Sequence, residues 1–254
     1  MKTKAAILWE LNQPWSVEEI DLDPPGPGEV LVKMAASGMC HSDEHLVTGD
    51  LPFALPIIGG HEGAGIVEQV GEGVSWLAPG DHVVFGFIPS CGRCPSCSTG
   101  HSNLCDLGAY LGTGRQIADQ TSRHHAKGQD VGIMCLLGTF AHHTVVNEAS
   151  CIKIENDVPL DKACLLGCGV GTGWGAAVNS AQVYPGQTVI VMGVGGIGIN
   201  AVQGASHAGA AHVIAVDPVA FKRDSALKLG ATHAVATMEE ATDIARSFTN
   251  GQGA

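Results

Sequence analysis

The chain has 254 residues, enough for two domains, and its 45% apolar residues and 35 glycines point to globular packing with many tight turns. A net charge of −12 with no block of lysines or arginines excludes a nucleic-acid partner, since the field would repel phosphates. The apolar stretch 5–9 after Lys2 and Lys4 is too short for a secretion signal, and the uncharged segment between Lys162 and Asp217 is broken by glycines, polar residues and Pro185. No membrane partner is expected; the location expected is cytoplasmic, where thiols stay reduced.

In chain order, the first half reads as short strands between turn signals. Residues 30–34 follow the turn cluster 24–28, residues 65–70 run into Gly71-Glu72-Gly73, and residues 81–85 follow Pro79-Gly80. Such spacing predicts a mainly β domain, a small barrel. Cys91, Cys94, Cys97 and Cys105 then form the run C-x2-C-x2-C-x7-C, with Gly92, Pro95, Ser96 and Gly100 as spacers. Four thiolates about 2.3 Å from a tetrahedral Zn²⁺ can be supplied by one such loop. Two disulfides would close small strained rings, and the ferredoxin run C-x2-C-x2-C-x3-C has a shorter last spacing. A closed four-thiolate site is structural, having no open position for chemistry.

Residues 112–130 are polar and poorly patterned, and read as a loop; the strand pattern resumes at Val145-Val146 and 152–154. After Thr172 the texture changes to alternation: helix over 173–183, strand over 188–192, helix over 196–207, strand over 212–216, helix over 219–229. That predicts βαβ units on a parallel sheet. Gly193-Val194-Gly195-Gly196-Ile197-Gly198 fits G-x-G-x-x-G and stands directly between strand and helix. There Gly193 would allow the tight turn, Gly195 the approach of a pyrophosphate and Gly198 close packing, with the helix N-terminus at Gly196 and Ile197 facing the phosphates. Asp217 ends the next strand, where a carboxylate accepts from ribose hydroxyls and favours NAD over NADP; the alternative is a helix-capping role. Lys222 and Arg223 either touch the same ribose or lie on a solvated helix face.

Three metal-ligand candidates stand apart: Cys40, His61 and Cys168, each beside glycine, small or turn residues. Two thiolates and an imidazole leave a fourth position for water or substrate, as catalytic zinc requires. Singly, each has another reading, a cysteine as a small buried hydrophobe and a histidine as a hydrogen-bonded side chain.

The Gly60-His61-Glu62-Gly63-Ala64-Gly65 motif with Gly71, the four-cysteine lobe, Gly167-Cys168-Gly169 with Thr172-Gly173, and the GVGGIG turn with Asp217 together make the chain resemble the zinc-dependent medium-chain alcohol dehydrogenases over its whole length. Gly128-Gln129-Asp130, residues 134–140 and residues 195–203 look similar to the nicotinoprotein, NDMA-dependent branch; a thiol-linked formaldehyde dehydrogenase branch is the close second. The resemblance implies an α/β fold with a β-rich domain: a GroES-like β-barrel catalytic domain over 1–169, carrying the structural zinc lobe at about 90–106, then a partial Rossmann doubly wound parallel sheet over 170–254. It implies two Zn²⁺ and NAD as cofactors, a small-molecule alcohol or aldehyde as substrate, and a homo-oligomeric parent.

The same resemblance assigns roles. Cys40, His61 and Cys168 would bind the catalytic zinc, a Lewis acid for the alkoxide while hydride passes to the nicotinamide. Glu62 would approach the ion from behind and exchange onto it, and Asp43 would steady the His61 ring. Ser42 would begin a proton path ending at His45. His41 would contact the pyrophosphate, Phe87 the substrate cleft and Thr172 the nicotinamide; a surface histidine and ordinary core are the alternatives. A non-enzymatic zinc module would hold only one zinc, and a polyol dehydrogenase would tend to carry glutamate where Cys168 stands. Only the first three strands of a six-strand dinucleotide domain fit before Ala254. The chain is therefore expected to be part of a longer enzyme, and inactive by itself.

Overall fold

The structure, a computed structural model, describes all residues 1–254. It contains two compact units, Met1–Cys168 and Gly169–Ala254. No helix is long and apolar enough to cross a membrane.

The first unit is built from β1 (Lys2–Leu8), β2 (Ser16–Leu22), β3 (Glu29–Gly38), α1 (His41–Thr48), β4 (Ile57–Ile58), β5 (Glu62–Val70), β6 (His82–Phe85), α2 (Pro95–Ser98), β7 (His124–Ala126), β8 (Gln129–Ile133), β9 (His143–Asn147), β10 (Cys151–Ile154) and α3 (Leu160–Ala163). Strands β1-β2-β7-β8-β4 close into a barrel, and β10-β6-β5-β3-β9 form a second sheet. Alternation along β1 turns Thr3, Ala5 and Ile7 inward, where Ala5 and Ile7 meet Ile20, Ile58, Val131 and Ile133. The second sheet packs Val30, Val32, Val67, Val83, Phe85 and Val146 into a separate cluster. At the head of β3, Glu29 is fully buried and accepts from Arg123 Nε (2.8 Å), Arg123 Nη2 (3.0 Å) and Gly26 N (2.8 Å). The buried carboxylate is thus met by a guanidinium and a backbone donor, as burial of a charge requires.

The segment 112–130 departs from the loop expected for it, because β7 and the start of β8 form a hairpin there. Lys127 and Gly128 both take positive φ, 51° and 76°, the conformation of a two-residue hairpin turn whose twist matches the strands. Polarity disguised the strands. Ser122 and His124 are buried, with the Ser122 hydroxyl in hydrogen-bond reach of the Val131 carbonyl (2.7 Å) and the His124 carbonyl (2.9 Å), and burial pushes the His124 ring down to about 3, so that it sits there neutral.

The second unit comprises α4 (Gly169–Gly175), a π-helical turn at Ala176–Ser180, β11 (Thr188–Met192), α5 (Gly196–His207), β12 (His212–Val216), α6 (Ala220–Lys228), β13 (His233–Val235) and α7 (Met238–Phe248). The strands are parallel in the order β11-β12-β13. Val213 and Ala215 pack with Val202, Ala205 and Ala226 of α5 and α6; the alternate residues Ile214 and Val216 pack with Ala241 and Ala245 of α7. Both faces of β12 are therefore covered by helices, which explains its uninterrupted apolar run.

Candidate functional site

Strand register assembles the first centre. Gly38 at the end of β3 pairs with Glu62 at the start of β5, so Cys40 and His61 arrive at one sheet edge. Cys168 follows Gly167, which lies so close to the end of β6 that a β-carbon there would overlap the Phe85 carbonyl oxygen. One ligand atom from each of Cys40, His61, Glu62 and Cys168 lies within 4.8 Å of all the others. The Cys40 and Cys168 sulfurs are 3.9 Å apart. Two thiolates about 2.3 Å from one tetrahedral ion are about 3.8 Å apart, so this spacing and the S₂N(O) donor set fit zinc. The Glu62 carboxylate stands within reach of the other three donors, where it could serve as the exchangeable fourth.

Asp43 ties these ligands together. It is 2% exposed, its Oδ2 accepts from Cys40 N (2.8 Å), its Oδ1 accepts from Gly60 N (3.1 Å), and Oδ1 lies 3.5 Å from His61 Nδ1. The first bond is half of a capping box on α1, so helix initiation and ligand placement share one carboxylate. His61 Nδ1 is buried without a well-formed hydrogen bond, and with that nitrogen turned to Asp43 the other is left for an ion. Burial opposes charge on the ring, but Asp43 and Cys168 outweigh it and push its pKa up to about 10. With no metal bound the centre therefore keeps a proton that an ion would displace. Burial also opposes ionisation of Cys40, yet hydrogen bonds from Ser42 and His61 pull its pKa down, towards the thiolate a metal takes. Cys135, in the field of Asp43, is pushed by burial up to about 12 and stays an inert thiol.

Around the centre, Phe87 presents its ring to His61 edge to face, with centroids 6.1 Å apart at 80°. Met39 and Leu166, close in sequence to the candidate donors Cys40 and Cys168, are exposed. On α1, Ser42 Oγ lies 3.7 Å from Cys40 Sγ. One turn on, the exposed His45 meets His41 edge to face at 4.7 Å and lies 3.4 Å from Asp50.

The glycines flanking His61 and Glu62 have a steric cause. Gly60 has φ +86°, and β-carbons at Gly59, Gly60 and Gly63 would strike Trp15, Phe140 or Thr139. Sequence reasoning gave Thr139 and Ser37 no part in the site; three glycines around two ligand residues were the available sign that another chain segment presses on them.

The four-cysteine lobe brings the sulfurs of Cys91, Cys94, Cys97 and Cys105 within 4.8 Å of one another, with Cys94 and Cys105 at 3.9 Å and no disulfide. Backbone N–H groups point at the sulfurs: Cys94 N at Cys91 Sγ (3.4 Å), Cys97 N at Cys94 Sγ (3.5 Å) and Cys91 N at Cys105 Sγ (3.4 Å). Such bonds draw Cys91 down to about 6, while burial pushes Cys105 up to about 11. The set would be closed, since four thiolates fill a tetrahedral ion and leave no open position.

In the second unit, Gly193 takes φ +81° and α5 begins at Gly196 with Gly195 as its cap. A β-carbon at Gly193, Gly195 or Gly196 would meet nothing, whereas one at Gly198 would overlap the Gly193 carbonyl oxygen. The turn is thus closed from within and open outward, a cradle that fits a pyrophosphate at a helix N-terminus. Asp217 is 4% exposed, accepting from Val219 N and Val194 N at 2.9 Å each; these bonds hold its carboxyl below the usual range. Lys222 Nζ lies 3.7 Å from it, and Arg223 donates to the carbonyls of Asp217 and Pro218. Ile197 and Thr172 are exposed.

Residues 26–156 match the alcohol dehydrogenase GroES-like domain, and residues 196–254 match the zinc-binding dehydrogenase domain. The chain is 58% identical over 234 residues to alcohol dehydrogenase B of Mycobacterium tuberculosis, covering 92% of this chain and 62% of that one. It is 54% identical over 252 residues to an NDMA-dependent alcohol dehydrogenase of Amycolatopsis methanolica, covering 99% and 68%. Among solved structures, the benzyl alcohol dehydrogenase of Acinetobacter calcoaceticus superposes with a TM-score of 0.85 at 31% identity, over 100% of this chain and 69% of the other.

Proposed function

The chain belongs to the zinc-binding alcohol dehydrogenase family, and on that premise we propose that it binds two zinc ions and NAD and serves hydride transfer between a primary alcohol and its aldehyde. The observation that carries the reading is the second donor cluster, Cys40, His61, Glu62 and Cys168, separate from the closed four-cysteine lobe. When bound, zinc supplies a Lewis acid that lowers the pKa of an alcohol, and NAD supplies the hydride acceptor. Cys40, His61 and Cys168 would hold the ion, with Glu62 as the exchangeable fourth donor. Cys91, Cys94, Cys97 and Cys105 would brace the lobe around a structural zinc.

The remaining roles fall to named side chains. Ser42, beside Cys40, would accept the substrate's hydroxyl proton while giving up its own, and the exposed His45 would pass a proton on to water. Phe87, Met39 and Leu166 offer apolar surface to the alkyl or aryl part of the substrate. His41, Thr172, Gly193, Gly195, Gly196, Ile197, Gly198, Asp217 and Lys222 bind the cofactor, Asp217 through its remaining lone pairs. We place the protein in the cytoplasm, as a homo-oligomer, and in the NDMA-dependent branch, where the cofactor stays bound.

Metal analysis of the native protein and of Cys168→Ser tests the central claim. Two zincs falling to one supports it; one zinc that Cys168→Ser leaves in place overturns it. NAD released on denaturing the dialysed protein supports retention of the cofactor.

A further inference from the structure

Two residues without metal-binding atoms pin the His61–Glu62 backbone from behind. Thr139, 1% exposed, donates its N–H to Gly60 O (3.1 Å), and Phe140 N donates to Gly59 O (2.9 Å). The Thr139 hydroxyl lies 2.7 Å from Ser37 Oγ, and Ser37 Oγ donates to Glu62 O at 2.9 Å. Serine has a single hydroxyl proton. The Gly38 carbonyl, at 3.3 Å, is a second and longer acceptor for it; with the proton on the nearer Glu62 O, Thr139 is the donor of the hydroxyl pair, and a chain runs from Thr139 O–H through Ser37 O–H to the Glu62 carbonyl. Both carbonyls flanking the His61 residue are thereby held, that of Gly60 by the Thr139 backbone and that of Glu62 by the hydroxyl chain. Ser37 also sits on β3 just before Cys40, so the same pair fastens the strand that delivers Cys40 to the strand that carries Glu62.

We propose that Ser37 and Thr139 are positioning residues for the metal centre, a hydroxyl clasp that fixes where His61 and Glu62 stand relative to Cys40 and Cys168. The clasp works with Asp43 from opposite sides: Asp43 holds Gly60 N and Cys40 N, while the clasp holds the carbonyls. The glycines of the motif permit it, since side chains at Gly60 or Gly63 would displace Thr139. The inference rests on reading these four donors as a zinc site.

The test uses the zinc-loaded protein and three variants: Thr139→Val, which keeps the shape and removes the O–H; Ser37→Ala; and Thr139→Ser, which keeps the O–H. Zinc release to a chromophoric chelator is followed in two phases, one per site, beside the absorption spectrum of cobalt(II)-substituted protein. Thr139→Val and Ser37→Ala each speed release from the Cys40 centre about tenfold, as loss of an outer support for metal ligands does. They also shift the cobalt bands, Thr139→Ser restores rate and spectrum, and the lobe phase stays unchanged. Parental release and spectrum in Thr139→Val and Ser37→Ala would overturn the clasp while leaving the zinc reading intact. Equal acceleration of both phases would overturn it too, by showing general loosening. A parental protein with only one zinc would remove the zinc reading and the clasp together.

Discussion

Replacing Asp43 by alanine probes the point where helix capping and ligand placement meet. The carboxylate receives two buried backbone N–H groups, of Cys40 at 2.8 Å and Gly60 at 3.1 Å, and faces His61 Nδ1 at 3.5 Å. Hydrogen bonds to a charged group are worth about 1.5–3 kcal/mol each, so the two losses sum to about 3–6 kcal/mol. The desolvation of Asp43 itself offsets part, which leaves a net loss of folding stability of about 3 kcal/mol. Freed of its carboxylate partner, the His61 ring loses orientation, and zinc affinity at the Cys40 centre falls 10- to 100-fold, about 1.4–2.7 kcal/mol. Competition with a chromophoric chelator measures the affinity and urea unfolding the stability, with the lobe zinc as internal reference. Asp43→Asn keeps one acceptor oxygen and falls between alanine and the parent. An Asp43→Ala protein that binds the second zinc as tightly as the parent would refute the assignment of Asp43 as the hub of this centre.

Other outcomes follow from the same geometry. Zinc affinity at the Cys40 centre falls as pH falls: His61, held near 10 in the metal-free protein, must lose its proton to bind, and each proton released costs about tenfold in apparent affinity per pH unit. Calorimetry in buffers of different ionisation enthalpy counts these protons, and pH-independent binding contradicts the reading. Gly198→Ala forces a β-carbon against the Gly193 carbonyl, opens the turn at a cost of about 1–3 kcal/mol, and weakens NAD binding as read by calorimetry. Gly196→Ala, where a β-carbon meets nothing in the protein, lowers affinity with no loss of stability. Arg123→Met strands the buried Glu29 carboxylate and lowers unfolding free energy by about 3–5 kcal/mol. The double variant Glu29→Met, Arg123→Met loses less, and an unchanged urea midpoint for Arg123→Met would show the pair to be inert.

What could be read along the chain was whatever is local. The lobe's four cysteines share one loop, and the GVGGIG turn joins a strand to the helix after it, so spacing alone carried both patterns. β12 was legible because an apolar run buried on both faces needs no partner to be recognised, and β11 and α5 because a β-branched run and an Ala- and Gly-rich helix flank the GVGGIG turn directly. The β7–β8 hairpin was not, since Ser122 and His124 are polar residues turned inward, where the Ser122 hydroxyl meets the Val131 carbonyl and the His124 ring meets the Thr144 hydroxyl, both on other strands. The Cys40 donor cluster was legible only through resemblance to a family, and its geometry was left to the tertiary structure. Cys40, His61 and Cys168 carry no common local pattern; the Gly38–Glu62 register and the contact of Gly167 with Phe85 bring them to one point. The places of Glu62 within reach of the other three donors, of Asp43 between two backbone amides, and of Ser37 and Thr139 behind the ligands depend on distances between strands remote in sequence. Such distances are set by sheet pairing and close packing, for which a linear pattern has no coordinate.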